Sequence, residues 1–179
     1  MDNDIYLKKA YRSHQLGAPI ESPLALYTDK VRSEWIDYNG HMSESFYLYA
    51  MGEASDALFR YIGIDEAYRA SGSSFYTVET HINYYQEVAQ GEPLRFTTQL
   101  LGLDHKRLHF FHHMYHGKTG DLLATTEQML LHVDMNTATT APIKAPVLAV
   151  LNDIWQVHKN LSAPKQKGRV MAIPDIKPA

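Results

Sequence analysis

The sequence predicts an α+β fold in which one long helix packs against a curved antiparallel sheet. Three observations support this prediction. A long amphipathic helix pattern begins near Ser43, four segments with strand-like patterns follow it, and short turns of the hairpin type separate those segments. Hairpin connections make neighbouring strands antiparallel, and a sheet that curls around a helix buries that helix on several sides.

Composition excludes several classes of protein. The chain has 179 residues, which fits one domain, and its net charge of -3 lacks the basic face that nucleic-acid binding needs. There is no cysteine, so disulfides, thiolate metal sites and cysteine nucleophiles are excluded. No apolar run approaches the roughly 18 residues of a membrane span, and the N-terminus lacks the apolar segment of a signal peptide. We therefore expect a soluble cytoplasmic protein.

Three ranges divide the chain. Residues 1–23 are predicted to form an N-terminal arm that ends in "GAPIESP", where proline and glycine argue against a continuous helix. Residues 24–160 are predicted to form the single domain. Residues 161–179 form a tail that contains three prolines, and we expect it to wrap a surface or to fray.

The first strand and the long helix come at the start of the domain. A strand is predicted over residues 24–35, where "LALYTDKVRSEW" alternates in part. The helix is predicted from Ser43, a suitable N-cap, to about Tyr61, with Gly63 as its stop. Its small residues favour close approach by other elements. The face predicted to be buried consists of Tyr47, Ala50, Ala54, Ala57, Leu58 and Tyr61.

The remaining strands follow in sequence order. "SSFYTVETHINYY" is predicted to be a strand after a short helical turn near "DEAYRAS". The segments "LRFTTQLLGL", "RLHFFHHMYH" and "LLATTEQMLLHVDM" are three more strands, and "APVLAVLNDIWQVHKNL" is a C-terminal helix. On the first of these strands, alternation predicts Tyr76, Val78, Thr80, Ile82 and Tyr84 on one face, and Phe75, Thr77, Glu79, His81 and Asn83 on the other.

Polar residues stand together just before the long helix, in "DYNGH" from Asp37 to His41. A helix N-terminus presents unpaired N–H groups and the positive end of a dipole, so it can stabilise the oxyanion formed when a carbonyl is attacked. Gly40 would let the backbone approach closely, and Asp37 could attack or activate a water. The stretch has the parts of an acyl-transfer site, although an aspartate that only caps a turn gives the same pattern.

A thioester suits this site better than an amide. A thiol has a pKa of about 8.5, so it leaves as the thiolate without strong acid assistance. One carboxylate with no obvious acid partner can therefore suffice.

The motif "DYNGHMSESFY", Asp37 to Tyr47, resembles the D-x-x-G-H-x-N-x-x-x-Y signature of hot-dog-fold acyl-CoA thioesterases, the 4-hydroxybenzoyl-CoA thioesterase group. It departs from that signature at Ser43 and Glu44, where asparagine is usual. The resemblance covers roughly residues 24–146 and implies the fold, an acyl-CoA substrate, and homodimers or dimers of dimers with active sites at the dimer interface. It implies that Asp37 is the catalytic carboxylate, with Asn39, Gly40, His41 and Met42 completing the catalytic motif and His41 orienting the loop.

The fuller string W-x-D-Y-N-G-H-M, from Trp35 to Met42, is similar to a narrower group, the thioesterases of bacterial carnitine catabolism that are linked to betainyl-CoA. Betainyl-CoA carries a quaternary ammonium, which has no N–H to donate and is recognised by aromatic faces and negative charge. We therefore expect an aromatic cage near Asp37, although ordinary packing explains aromatic residues equally well. Predicted substrate-binding residues are Trp35, Tyr38, Tyr47, Phe75 and Tyr84, with Lys106 and Arg107 on the CoA phosphates.

Further acidic and histidine residues leave alternatives open. Glu53 on the helix is a second candidate base, and Glu44, Asp56 and Glu79 could assist or could be solvated acids. The histidines of "HKRLHFFHHMYH" offer two pairs on opposite strand faces, but no other motif supports a metal site. We expect no metal and no cofactor, since coenzyme A is part of the substrate.

Other functions are also compatible with parts of this sequence pattern. A non-enzymatic hot-dog module could bind acyl-CoA, but pure binding does not need a carboxylate beside a thioester. A thioesterase for another small acyl-CoA would share the same motif. A dehydratase would need a histidine and an acid placed differently, and a serine hydrolase would need the G-x-S-x-G elbow that this sequence lacks.

Overall fold

The structure, a computed structural model, describes residues 13–173. Residues 1–12 of the predicted arm and residues 174–179 of the predicted tail lie outside the described residues. A one-turn 3-10 helix, Ser33–Trp35, precedes the long helix. The other elements are β1 (Leu24–Lys30), α1 (Glu44–Tyr61), α2 (Glu66–Ala70), β2 (Ser73–Tyr84), β3 (Pro93–Leu103), β4 (Arg107–His116), β5 (Leu122–Asp134), β6 (Thr139–Thr140) and α3 (Ala145–His158).

The strands form one antiparallel sheet in the order β1-β3-β4-β5-β2, with β6 paired to β5. Helix α1 packs on the inner face of this sheet against β1, β3, β4 and β5. The α+β layout predicted from the sequence is confirmed. Strands β1 and β2 are the two edges of the sheet.

Helix α1 has the boundaries that its sequence predicts. The predicted face is buried, including Ala50, Ala54 and Ala57, whose small side chains let the strands lie close to the helix. Ser43 has the extended conformation of an N-cap but makes no side-chain capping bond. After the helix, Gly63 has a φ of +92°, a conformation that glycine adopts without steric cost.

The first strand is shorter than predicted. β1 ends at Lys30, opposite Pro93, the first residue of β3. Beyond that pair Val31 bonds to the turn before β3, donating its N–H to the Glu92 carbonyl and accepting the Gly91 N–H, each at 2.9 Å. The chain then turns through the 3-10 helix, which buries the indole of Trp35. The prediction of a strand through residue 35 was therefore wrong over its last five residues.

A β-bulge changes the face assignment of β2. The register with β5 shifts between Thr77 and Glu79, so Val78 has no direct partner. Phe75 and Thr77 therefore share the inner face with Thr80, Ile82 and Tyr84. The predicted alternation holds from Glu79 onward and is wrong before it, because it placed Tyr76 and Val78 on that face.

A polar layer lies within the core between α1 and the sheet. The imidazole of His112 is fully buried, with Nε2 at 3.0 Å from the Ser55 Oγ and Nδ1 at 2.9 Å from the Thr98 Oγ1. The Ser55 hydroxyl also lies 3.1 Å from the Gln128 Oε1. Burial lowers the pKa of His112 to about 3, and His113 acts in the same direction, so the ring is neutral at pH 7.

The described part of the tail crosses the outer face of the sheet. Gln99 on β3 donates to the Ser162 carbonyl at 3.2 Å. The Gly168 N–H donates to Glu127 of β5 at 2.6 Å, and Arg169 donates to Asn83 of β2 at 3.2 Å. This face includes Phe111, which is buried although it points away from α1.

Among residues 13–173, no helix combines the length and the apolar character that a membrane crossing requires. The cytoplasmic location remains a prediction.

Candidate active site

The loop from Asp37 to His41 is closed by its own hydrogen bonds. The Asp37 N–H donates to the His41 carbonyl and the Gly40 N–H donates to the Asp37 carbonyl, each at 3.0 Å. The Asn39 N–H donates to the Asp37 Oδ1 at 2.8 Å. Gly40 has a φ of +82°, which the tight turn requires. Asp37 therefore caps its own turn, and no protein donor among the described residues binds its Oδ2.

The flanks of this loop are fixed to the rest of the domain. Ile36 and Met42 form an isolated antiparallel bridge, and the Ser43 N–H donates to the Trp35 carbonyl at 2.9 Å. The Met42 N–H donates to the Val88 carbonyl at 3.0 Å. These bonds hold the half-buried carboxylate of Asp37 in a defined place beside the first turn of α1.

The backbone amides at the motif divide into two groups. Those of Asn39, Gly40 and Met42 already donate to acceptors within the chain. Those of Glu44 and Ser45 have no acceptor among residues 13–173, as is expected for the first turn of a helix. The amide of His41, in the loop before the N-cap, has no acceptor among these residues either. The oxyanion donors predicted at this helix start are thus available from His41, Glu44 and Ser45, two of which the sequence motif did not single out.

Tyr47 and Tyr84 form an aromatic corner at the same place. Their ring centroids are 5.5 Å apart with the planes at 89°. The Tyr84 hydroxyl donates to the Glu44 carbonyl in the first turn of α1 at 3.2 Å, and the Tyr47 hydroxyl donates to the Gln86 carbonyl at 3.1 Å. Tyr47 is buried, whereas 46% of Tyr84 is exposed, so Tyr84 is the member of the pair that a ligand can reach.

Carboxylates surround this aromatic corner. Glu87 lies 3.3 Å from the His41 Nδ1. Burial is the main cause that raises the pKa of Tyr47 to about 12, and the negative charges of Glu87 and Asp37 act in the same direction. Burial also raises the pKa of Tyr84, with Glu44 adding to the shift. The corner is therefore negatively charged as well as aromatic.

Trp35 belongs to a separate, closed cluster. Its indole is stacked on Phe46 at 5.8 Å and meets the edge of Tyr49 at 5.8 Å. The guanidinium of Arg32 lies 4.7 Å from the centre of the ring and pairs with Asp29 at 3.0 Å. Both faces of this buried ring are occupied, so Trp35 shapes the wall of the motif loop. Its predicted contact with substrate remains untested.

Other predicted binding residues are not brought to Asp37 within one chain. Tyr38 projects from the loop with 96% of its surface exposed. Phe75 packs on Phe59 and His132 at the opposite end of β2. Nine residues of strand separate it from Tyr84, which corresponds to about 30 Å. Lys106 and Arg107 lie at that same distant end of the sheet, and Arg107 pairs with Asp104 at 2.6 Å.

The remaining acids and histidines have structural surroundings. Glu53 and Asp56 are half-buried on α1 and both make interactions there, while Glu79 is exposed on the outer face of β2. His109 pairs with Glu127 at 2.8 Å and His116 with Glu92 at 3.2 Å. In the part of the chain that the structure describes, no three His, Asp or Glu side chains converge on a metal position.

The chain belongs to the thioesterase-like superfamily, whose family model matches residues 31–151. That range runs from the motif loop through α1 and strands β2 to β5 into α3. The predicted family, its hot-dog fold and the predicted class of enzyme, a thioester hydrolase, are confirmed by this match and by the relatives that follow.

Within the family the chain is similar to proteins named for betainyl-CoA. It is 43% identical over 155 residues to the betainyl-CoA thioesterase of Pseudomonas aeruginosa, covering 86% of this chain and 98% of that protein. It is 46% identical over 158 residues to an L-carnitine dehydrogenase/betainyl-CoA thioesterase of Rhizobium meliloti, of which it spans about a third, 32%, while 86% of this chain is covered. The predicted resemblance to this narrower group is confirmed.

A solved structure gives the same fold. The protein SAV2348 from Staphylococcus aureus, determined in complex with CoA, superposes with a TM-score of 0.76 at 25% identity, covering 88% of this chain and all of that one (100%).

Proposed function

We propose that this protein is an acyl-CoA thioesterase that hydrolyses betainyl-CoA to betaine and CoA during carnitine breakdown. The observation that carries the proposal is the carboxylate of Asp37, held beside the open first turn of α1 in a chain similar along nearly its whole length to a betainyl-CoA thioesterase. The cytoplasm is the proposed location, and no cofactor is needed because water is the second substrate.

In the proposed reaction the thioester carbonyl oxygen points at the backbone amides of His41, Glu44 and Ser45. Charge that develops on this oxygen meets the N–H groups and the positive end of the α1 dipole. The Oδ2 of Asp37 faces the carbonyl carbon, while its Oδ1 stays on the Asn39 amide. The C–S bond breaks as a C–O bond forms, and the CoA thiolate leaves with a pKa low enough to need no strong acid.

Two routes fit this geometry. Asp37 either attacks the carbonyl carbon to give an anhydride, or removes a proton from a water that attacks. Repeated turnover in water labelled with oxygen-18 can establish the anhydride route. An anhydride opened by water at the aspartyl carbon leaves label in the peptide that contains Asp37, and the general-base route cannot do so. An unlabelled peptide fits the general-base route and also fits an anhydride that water opens at the acyl carbon of the substrate.

We propose that the working assembly is a homodimer formed through β2. This edge strand is long and exposed from Tyr76 to Thr80, with Tyr76 and Val78 half exposed at 50% and 54%. An edge of this kind pairs readily with another strand. Antiparallel pairing about a two-fold axis would set the N-terminal end of the second β2 beside Tyr84. The end of the sheet that carries Phe75, Lys106 and Arg107 would then approach the Asp37 of the other copy.

Sedimentation at matched concentrations tests this assembly. Val78→Lys places like charges at the paired edge and should shift the protein to monomers with lower activity, whereas Gln90→Lys on an exposed loop should leave the assembly unchanged. A Val78→Lys protein that keeps the mass of the unmodified protein would exclude this interface. A mass of four chains would mean that dimers pair through another surface.

Thiol release from a panel of acyl-CoAs tests the substrate. Betainyl-CoA is compared with acetyl-, butyryl-, long-chain and aromatic thioesters. Release that is fastest from betainyl-CoA is the expected result. Faster release from another small thioester would move the assignment to that substrate, and tight CoA binding with no release from any thioester would identify a binding module.

A further inference from the structure

We propose that Glu87 and the open ring of Tyr84 form the subsite that selects a quaternary ammonium on the acyl group, an inference that rests on the proposed thioesterase function. Glu87 lies outside the D-x-x-G-H motif, in the loop between β2 and β3. Its assignment comes from where the structure holds it.

The backbone on both sides of Glu87 is fixed to the active-site motif. The carbonyl before it, of Gln86, accepts the Tyr47 hydroxyl at 3.1 Å. The carbonyl after it, of Val88, accepts the Met42 N–H at 3.0 Å. The carboxylate itself lies 3.3 Å from the His41 Nδ1, and 76% of the side chain is exposed. Glu87 is thus held beside the motif by three contacts while its carboxylate stays open to a ligand.

The aromatic half of the subsite is Tyr84. Its ring meets Tyr47 edge to face at 5.5 Å, and its hydroxyl is tied to the Glu44 carbonyl at 3.2 Å, so the ring cannot turn freely. Because 46% of the residue is exposed, part of the side chain remains accessible to a ligand. A quaternary ammonium binds to an aromatic face through the negative charge above the ring. Trp35 cannot provide this face because Phe46 and Arg32 already cover it.

The charge balance of the corner favours a cation. Burial is the main cause of the raised pKa values of Tyr47 and Tyr84. The negative charges of Glu87 and Asp37 add to the shift of Tyr47, and that of Glu44 adds to the shift of Tyr84. Within residues 13–173, no lysine or arginine pairs with any of these three carboxylates. An excess of negative charge gains nothing from a neutral acyl group, but it attracts the trimethylammonium of a betainyl group.

A neutral isostere separates recognition of charge from recognition of shape. In 3,3-dimethylbutanoyl-CoA a quaternary carbon replaces the ammonium nitrogen of betainyl-CoA, so the two acyl groups differ almost only in charge. The quantity to measure is the ratio of kcat/KM for betainyl-CoA to kcat/KM for this isostere. A variant that merely disturbs the fold lowers both values and leaves the ratio unchanged.

Glu87→Gln should lower this ratio about tenfold, because it removes one full charge near the cation while keeping the size of the side chain. Tyr84→Leu should lower the ratio severalfold, whereas Tyr84→Phe keeps the ring and should retain most of the preference. Glu66→Gln, which removes an exposed carboxylate at α2, is the matched control and should leave the ratio unchanged.

Two results would overturn the subsite. The first is an unchanged ratio in Glu87→Gln, whether or not both kcat/KM values fall together. The second is a Tyr84→Leu ratio equal to that of the unmodified protein. If the unmodified protein hydrolyses neither thioester, the proposed function fails and the subsite fails with it. If it hydrolyses both equally, the thioesterase stands and the cation subsite does not.

Discussion

Replacing His112 with glutamine should make the stability of the fold less sensitive to acid. The imidazole is fully buried between Ser55 and Thr98, and burial lowers its pKa to about 3. In the unfolded chain the same ring has a pKa of about 6.5. Below pH 6.5 the unfolded state therefore binds a proton that the folded state does not bind. The free energy of unfolding falls as the pH is lowered below 6.5.

The size of this effect follows from the two pKa values. Between pH 6.5 and about 3, His112 alone should remove about 1.4 kcal/mol of unfolding free energy for each pH unit. Between pH 7 and pH 5 the loss is about 2 kcal/mol. Glutamine does not titrate, and its amide can still donate to the Ser55 hydroxyl. His112→Gln should therefore be less stable at pH 7 by about 1–3 kcal/mol, because one hydrogen bond of the buried layer is lost.

Urea unfolding at pH 7, 6 and 5, at one fixed protein concentration, measures the difference. The gap in unfolding free energy between the two proteins should narrow by about 2 kcal/mol from pH 7 to pH 5. His113, His132 and His158 also have lowered pKa values, mainly from burial, but they contribute equally to both proteins and cancel. His105→Gln at an exposed turn should leave the pH dependence unchanged. Parallel pH profiles for His112→Gln and the unmodified protein would show that burial of His112 does not lower its pKa in the folded protein.

Two further changes have expected outcomes. In Gly40→Ala the added methyl group meets no atom within 4 Å, but alanine must hold a φ of +82°. The strain should lower the free energy of unfolding by about 1–2 kcal/mol and should also lower kcat. Urea unfolding and thiol release measure these two effects. Gly40→Asn tolerates that conformation and should retain more activity; equal activity in both variants would exclude backbone strain as the cause. Ending the chain after Leu161 removes the tail from the outer face of the sheet, where Phe111 is buried. Because Phe111 should then contact water, the free energy of unfolding should fall by about 1.5–3 kcal/mol. An unchanged melting temperature would show that the tail does not cover that face.

Most of the fold could be predicted from local patterns. The buried face of α1 follows from its 3.6-residue period, and the antiparallel sheet follows from short turns between strand-like segments. The errors lie where pairing partners decide the outcome. β1 stops because β3 begins at Pro93, and the faces of β2 switch because of the bulge at Val78. Neither event can be predicted from the alternation of polar and apolar residues within a single strand.

The motif located the site, but the sequence could not supply its surroundings. Asp37 does cap its own turn, which the pattern alone allowed, and the same contact orients its carboxylate. Tyr47 and Tyr84 could be predicted as substrate-binding residues because they are aromatic. Glu87 was missed because it is about fifty residues from Asp37 and belongs to no motif. Phe75 and Arg107 were predicted to bind substrate because one is aromatic and the other is basic. Strand register puts them at the opposite end of the sheet, away from the Asp37 of the same chain.

Hydrolysis of betainyl-CoA by the unmodified protein and by Asp37→Asn is the most direct test of the catalytic role of Asp37. Asparagine keeps the acceptor for the Asn39 amide and thus the loop, but it can neither attack the thioester nor accept a proton. We expect thiol release to fall at least a hundredfold, the lower range for loss of a general base, while the affinity for CoA stays the same. Thiol release by Asp37→Asn at the rate of the unmodified protein would exclude Asp37 as the catalytic carboxylate.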